Sequence, residues 1–87
     1  MAENLRILIA EDHLTVREGL KLLVNSEEDM KVVGEAANGR EAIEMAKQLQ
    51  PDIVLMDISM PELNGLVATA KLKRILPEIK ILSLTFL

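Results

Sequence analysis

Asp52-Ile53-Val54-Leu55-Met56-Asp57 reads as a strand that ends on a carboxylate, and Ile58-Ser59-Met60-Pro61-Glu62-Leu63-Asn64-Gly65 reads as the loop that follows it. The apolar run is nearly unbroken, as expected of a strand buried on both faces, and such strands belong to parallel sheets covered by helices above and below. A parallel neighbour can be reached only through a crossover long enough to hold a helix. The flanking sequence should therefore alternate between strand and helix patterns.

It does so in both directions. Upstream, Leu5-Arg6-Ile7-Leu8-Ile9-Ala10 is a second short apolar run, bounded by Glu11-Asp12. From Thr15, the positions Val16, Leu20, Leu23 and Val24 give a helix one greasy face, and that helix ends near Asn25. Lys31-Val32-Val33-Gly34-Glu35-Ala36 has the β-branched residues of a strand, weakened by Gly34. Asn38-Gly39 is a hairpin signal in isolation, yet Ala42, Met45, Ala46 and Leu49 follow at helical spacing, so a helix begins here and stops before Pro51. Downstream, Ala68, Leu72, Ile75 and Leu76 mark a third helix closed by Pro77, and Ile79 to Leu84 form a fourth strand.

The order βαβαβαβ demands right-handed crossovers and a mainly parallel α/β sheet. If the second strand lies on one side of the first and the third on the other, the winding reverses between them and a crevice opens beyond their carboxyl ends. Glu11, Asp12 and Asp57 would then converge. A sheet whose strands follow chain order would also bring some of them together, so the pattern leaves strand order open.

Three clustered carboxylates repel one another and raise the pKa of at least one unless a cation shares the site. Mg²⁺ suits such a place, because it takes one or two carboxylates, retains waters and leaves room for a phosphate oxygen. A carboxylate can itself attack phosphorus to give an aspartyl phosphate. Asp57 is the expected nucleophile, alone on its strand end, while the adjacent Glu11 and Asp12 are arranged to hold metal. Thr85, at the end of the fourth strand, could offer its hydroxyl to a phosphoryl oxygen. Acidic residues after strands also serve as helix caps, and a terminal threonine is ordinary in a strand; the joint placement of the carboxylates is what favours chemistry. His13 has no second histidine with which to build a site and is assigned no role.

Bulk properties narrow the classes. With 87 residues there is room for one domain, and a chain of this size buries only roughly 60 to 65% of its unfolded surface, so stability should be marginal. Ten basic and fourteen acidic residues leave a net charge of −4, which disfavours nucleic acid and anionic membrane surfaces. Phe86 is the one aromatic residue, too little for a base-stacking platform. Cysteine is absent, which excludes disulfides, thiolate metal sites and thiol catalysis. The N-terminal residues fit neither a signal peptide nor a membrane span, so a cytoplasmic location is expected.

The stretches Ile7-Leu8-Ile9-Ala10-Glu11-Asp12 and Asp52 to Gly65, continued by Asn38-Gly39-Arg40-Glu41-Ala42 and Pro77-Glu78-Ile79-Lys80-Ile81-Leu82, resemble a bacterial response-regulator receiver domain, most closely the LuxR/NarL-type transcriptional regulators. The resemblance covers essentially the whole chain. It implies a flavodoxin-like doubly wound sheet, and a signalling module rather than an enzyme. It implies that Asp57 accepts a phosphoryl group from a sensor histidine kinase, with Mg²⁺ held by Asp12, Asp57 and the Ser59 backbone carbonyl and by Glu11 through water. Met60-Pro61 and Gly65 would shape the loop after the acceptor, and Thr85 would be the switch hydroxyl.

The family pattern continues with a further helix, a fifth strand ending in a lysine, and a last helix, so residues 1–87 are expected to be a truncated receiver domain with no DNA-binding domain. The nearest lysine, Lys80, precedes Thr85 by five residues, roughly 16 Å along a strand and at its wrong end. Truncation should leave Ile79, Ile81, Leu82, Leu84, Phe86 and Leu87 poorly covered, favouring a homodimer or a domain swap through residues 79–87. Three other functions stand against the receiver reading. A self-associating fragment without phosphotransfer is the main alternative. A phosphohydrolase would need a second carboxylate where Ser59 stands, and a nucleotide or flavin site would need a glycine-rich loop after the first strand.

Overall fold

A computed structural model describes residues 4–60 and 63–84 of the chain. Its elements run β1 (Leu5–Ala10), α1 (Leu14–Asn25), β2 (Met30–Ala36), α2 (Gly39–Leu49), β3 (Ile53–Asp57), α3 (Gly65–Ile75) and β4 (Lys80–Leu84). The expected alternation is therefore present, with boundaries shifted by a residue at several ends.

Local chemistry explains where the helices start and stop. Asn38 is a helix cap and not a hairpin turn: its Oδ1 accepts the Glu41 N–H at 2.8 Å, while Glu41 Oε1 reaches back to accept the Ala37 N–H at 2.8 Å. Asn64 caps α3 in the same way through the Val67 N–H at 3.0 Å. At the far end of α2, Gln50 adopts a left-handed conformation (φ 46°) and donates its N–H to the Ala46 carbonyl, and Pro51 cannot extend the helix. The Arg6 guanidinium donates to the exposed carbonyls of Leu49 (2.7 Å) and Gln50 (3.0 Å), placing a cation at the negative end of the helix.

The four strands are all parallel, in the order β2-β1-β3-β4. This removes the alternative left open above: β1 and β3 are neighbours, and the winding reverses between them. Opposite Ile7 and Leu8 the partners are Val32 and Gly34, so Val33 is an extra residue that bulges β2. Gly34 permits close packing there, since a Cβ would lie 2.7 Å from Leu49 Cδ1 and 2.8 Å from Met45 Cε.

Alternate residues build two cores. Leu8, Ala10, Val54 and Met56 pack beneath α2 and α3 with Ala42, Ile43, Ala46, Ala68 and Leu72. Ile7 and Ile9 face the other way, against Val24 and Leu20 of α1, with Ile53 and Leu55 partly buried beside them. Two expectations need correction. Leu23 is 68% exposed, because it is turned about 100° around the helix from Val24 and falls outside the stripe that touches the sheet. Ile79 is only 4% exposed: it precedes β4 and packs into the core under α2 and α3, as Ile81 does in part. Leu82, on the α1 side, is the residue that fits the expectation of poor cover, at 56% exposed, while Leu84 is half-buried. Phe86 and Leu87 lie outside the described residues. Among the described residues, no helix is long and apolar enough to cross a membrane.

Candidate functional site

The last register pair between β1 and β3 is Ala10 with Met56, which sets Glu11 and Asp57 side by side just beyond it. The Glu11 N–H continues the ladder toward β2 by donating to the Ala36 carbonyl at 2.9 Å. Backbone pairing, not loop flexibility, thus fixes where these carboxylates stand. One ligand atom from each of Glu11, Asp12, His13 and Asp57 falls within a group whose members all lie within 4.8 Å of one another.

Glu11 and Asp57 are 0% and 1% exposed. Among the described residues, buried Glu11 Oε1 and Asp57 Oδ2 have no hydrogen-bond partner. An ionised carboxylate removed from water without a partner is costly, so the pocket has an electrostatic demand that its own residues do not meet in full. Burial pushes the Glu11 carboxyl above its ordinary range, and the Asp57 charge adds to the rise, while hydrogen bonds from His13 oppose it. His13 donates its backbone N–H to Glu11 Oε2 at 2.8 Å, and its Nδ1 lies 2.8 Å from the same oxygen and 3.3 Å from Asp12 Oδ1. The hydrogen bond to Glu11 raises the His13 pKa, with the Asp12 and Glu11 charges acting in the same direction.

The loop after β3 is built onto the site. The Ser59 N–H donates to Asp57 Oδ1 at 3.0 Å, leaving Oδ2 free, and the Gly65 N–H donates to the Ile58 carbonyl at 3.2 Å. A Cβ at Gly65 would overlap the Asp57 carbonyl oxygen and crowd Ile58 Cα, so only glycine lets α3 begin this close to the acceptor strand. On the opposite side, Arg17 of α1 donates Nη1 to the Glu11 carbonyl at 2.8 Å and places Nε 3.3 Å from Glu35 Oε1. That Nε contact has ion-pair distance but not hydrogen-bond alignment.

Of the residues singled out from sequence, Glu11, Asp12 and Asp57 are brought together, and Ser59 meets Asp57 through its backbone. Thr85 lies outside the described residues. Two participants were missed, His13 and Arg17. A histidine two positions after a strand-terminal glutamate sits at the helix N-cap, where its backbone N–H can turn back on that carboxylate, and Arg17 is one helical turn further on. Those spacings were the available signal.

The family model for the response regulator receiver domain matches residues 7–86. The chain belongs to that family. It is 50% identical over 68 residues to the transcriptional regulatory protein YdfI of Bacillus subtilis, an alignment covering 78% of this chain and 32% of that protein. It is 43% identical over 82 residues to the response regulator protein VraR of Staphylococcus aureus, covering 94% of this chain and 39% of VraR. A solved DNA-binding response regulator of the LuxR family from Staphylococcus aureus shares the fold, with a TM-score of 0.88 at 26% identity over 95% of this chain and 69% of that chain. The response regulator domain of Thermotoga maritima CheB superposes with a TM-score of 0.92 at 38% identity, over 95% of this chain and 61% of that domain. This receiver domain of a two-component response regulator thus spans about a third to two fifths of the curated relatives it matches.

Proposed function

We propose that Asp57 is the phosphoryl acceptor of this receiver domain and that Glu11, Asp12, Asp57 and Ser59 hold Mg²⁺ beside it. The observation that carries the reading is the set of buried carboxylate oxygens, Glu11 Oε1, Asp12 Oδ1 and Asp57 Oδ2, that have no hydrogen-bond partner among the described residues, at the winding reversal of the sheet. Oxygen donors of this kind fit a hard divalent cation. Such an ion, when bound, neutralises charge on the phosphoryl group being transferred.

The chain's own residues supply the rest. Asp57 Oδ2 is free to form the O–P bond while the P–N bond to a donor phosphohistidine breaks and the electron pair leaves with the imidazole. Ser59 N–H holds the carboxylate in one orientation, the start of α3 at Gly65 packs on the Asp57 backbone, and burial keeps competing water away. The donor in this reading is a sensor histidine kinase, and the output is a shift between two conformations of the domain and not turnover of a substrate. Thr85 belongs to the same reading as the switch hydroxyl. Self-association is also proposed, through β4, which among the described residues pairs only with β3 and carries the exposed Leu82.

Incubation with Mg²⁺ and acetyl phosphate, followed by intact mass measurement, tests the acceptor. Phosphoryl addition to the wild-type chain and its loss in Asp57→Ala is the expected result. Addition that persists in Asp57→Ala assigns the acceptor elsewhere, and a folded chain that never gains mass overturns the reading for these 87 residues.

A further inference from the structure

Phosphoryl chemistry of the kind proposed above uses oxygen ligands, and it leaves one nitrogen in the pocket unexplained. His13 is the single histidine of the chain, and cysteine is absent, so its imidazole is the only strong nitrogen or sulfur donor in the sequence. It is not free on the surface: Nδ1 stands 2.8 Å from Glu11 Oε2 and 3.3 Å from Asp12 Oδ1. Tetrahedral ligands that share an ion at about 2.0 to 2.1 Å stand roughly 3.3 to 3.4 Å apart, so the Asp12 separation is that of neighbours in one coordination shell, and the Glu11 separation is a hydrogen bond that a shared ion would lengthen by about half an ångström. Two further oxygens, Glu11 Oε1 and Asp57 Oδ2, are buried without partners in the same group. The ring itself is exposed and Asp12 partly so, which leaves a path for an ion to enter.

We infer that His13 makes the acidic pocket a site for first-row transition cations such as Zn²⁺, with the imidazole nitrogen as a ligand beside Glu11, Asp12 and Asp57. The inference rests on the reading of the carboxylates as a metal site and adds a selectivity to it. Imidazole suits Zn²⁺ and its neighbours in the series, whereas Mg²⁺ prefers oxygen and holds its waters. Binding through Nδ1 replaces the hydrogen bond to Glu11 and releases to solvent any proton held there. The same pocket then accepts two classes of cation, and a transition ion occupying it competes directly with Mg²⁺.

The test is titration of the full chain with ZnSO₄ and, separately, with MgCl₂, by calorimetry and by the imidazole proton resonances, which arise from one residue. Wild type is compared with His13→Ala and with His13→Gln, which retains a polar side chain without the ring. The expected result is Zn²⁺ affinity weakened at least about tenfold more than Mg²⁺ affinity in both variants, and imidazole resonances that shift further with Zn²⁺ than with Mg²⁺. Unchanged Zn²⁺ affinity in the variants overturns the inference. So does an equal loss for both ions, which would make His13 a support for the carboxylates and not a ligand. Absence of Mg²⁺ binding to the wild-type chain counts against the Mg²⁺ reading alone, because the Zn²⁺ comparison is read independently of it.

Discussion

Glu11 and His13 hold protons more tightly in the fold than in the unfolded chain, Glu11 through burial and His13 through its hydrogen bond to Glu11. A raised folded pKa means that the folded state binds more protons over that interval, so stability falls as pH rises. Glu11's contribution is present below its ordinary value of 4.5 and is lost as pH climbs through the raised one; His13 behaves likewise above 6.5. With divalent ions chelated, the melting temperature should therefore fall as pH rises above 4.5, and again as it rises above 6.5. Because cations compete with those protons, the stabilisation produced by Mg²⁺ should grow over the same range. Thermal melts with and without EDTA measure both, and a melting temperature that rises with pH in EDTA would show that other groups dominate. At Gly65 the effect is steric: Gly65→Ala pushes a methyl onto the Asp57 carbonyl and should destabilise the domain by at least about 1–3 kcal/mol, since neither partner is a flexible side-chain end. Denaturant unfolding checks it, and an unchanged midpoint would mean that the loop shifts at little cost. The carboxylates of this site were legible in the sequence because strand ends fix them. The His13 contact was not, because it comes from a ring folding back two residues, a contact that neither hydrophobic period nor composition encodes.

At the scale of elements, hydrophobic period located the described strands and helices, and side-chain caps set the starts of α2 and α3. The ambiguous Asn38-Gly39 resolved as a helix start because Glu41 completes the cap from within the first turn. Asn38→Ala leaves the Glu41 N–H without its acceptor and should cost about 1 kcal/mol, a drop of roughly 4–8 °C in melting temperature for a domain of this size. Asn64→Ala should cost a similar amount on α3. A change below about 0.3 kcal/mol at either position in denaturant titrations would show that water replaces the cap. Helical period was less informative about which side of α1 is buried. Four apolar positions define its stripe, but Leu23 lies at the stripe's margin, and only the width of sheet beneath the helix decides whether a marginal residue is covered. The bulge at Val33 was also unreadable, because an inserted residue leaves the β-branched composition of β2 unchanged.

For the whole molecule, the two faces of the sheet are covered unequally. Two helices lie over Leu8, Val54, Met56 and Ile81, whereas among the described residues α1 alone lies on the opposite face, against β1 and β2. Over β3 and β4 that face presents Leu55 in part and Leu82 at 56% exposure. Among the described residues, no strand pairs with the outer side of β4, and an apolar edge of this kind templates pairing with another chain. A twofold arrangement would satisfy both needs at once, since the β4 edge and Leu82 of each copy would meet those of the other. The 87-residue chain should therefore populate a dimer that grows with concentration. Leu82→Lys, which places a charge on the exposed edge, should shift it to monomer while leaving Asp57 open to phosphorylation, because Leu82 lies two residues short of the strand end that adjoins Asp57. Size exclusion with light scattering across a concentration series reads the mass directly. A monomer at every concentration would remove β4 as an interface, and a dimer unaffected by Leu82→Lys would place the contact on another surface.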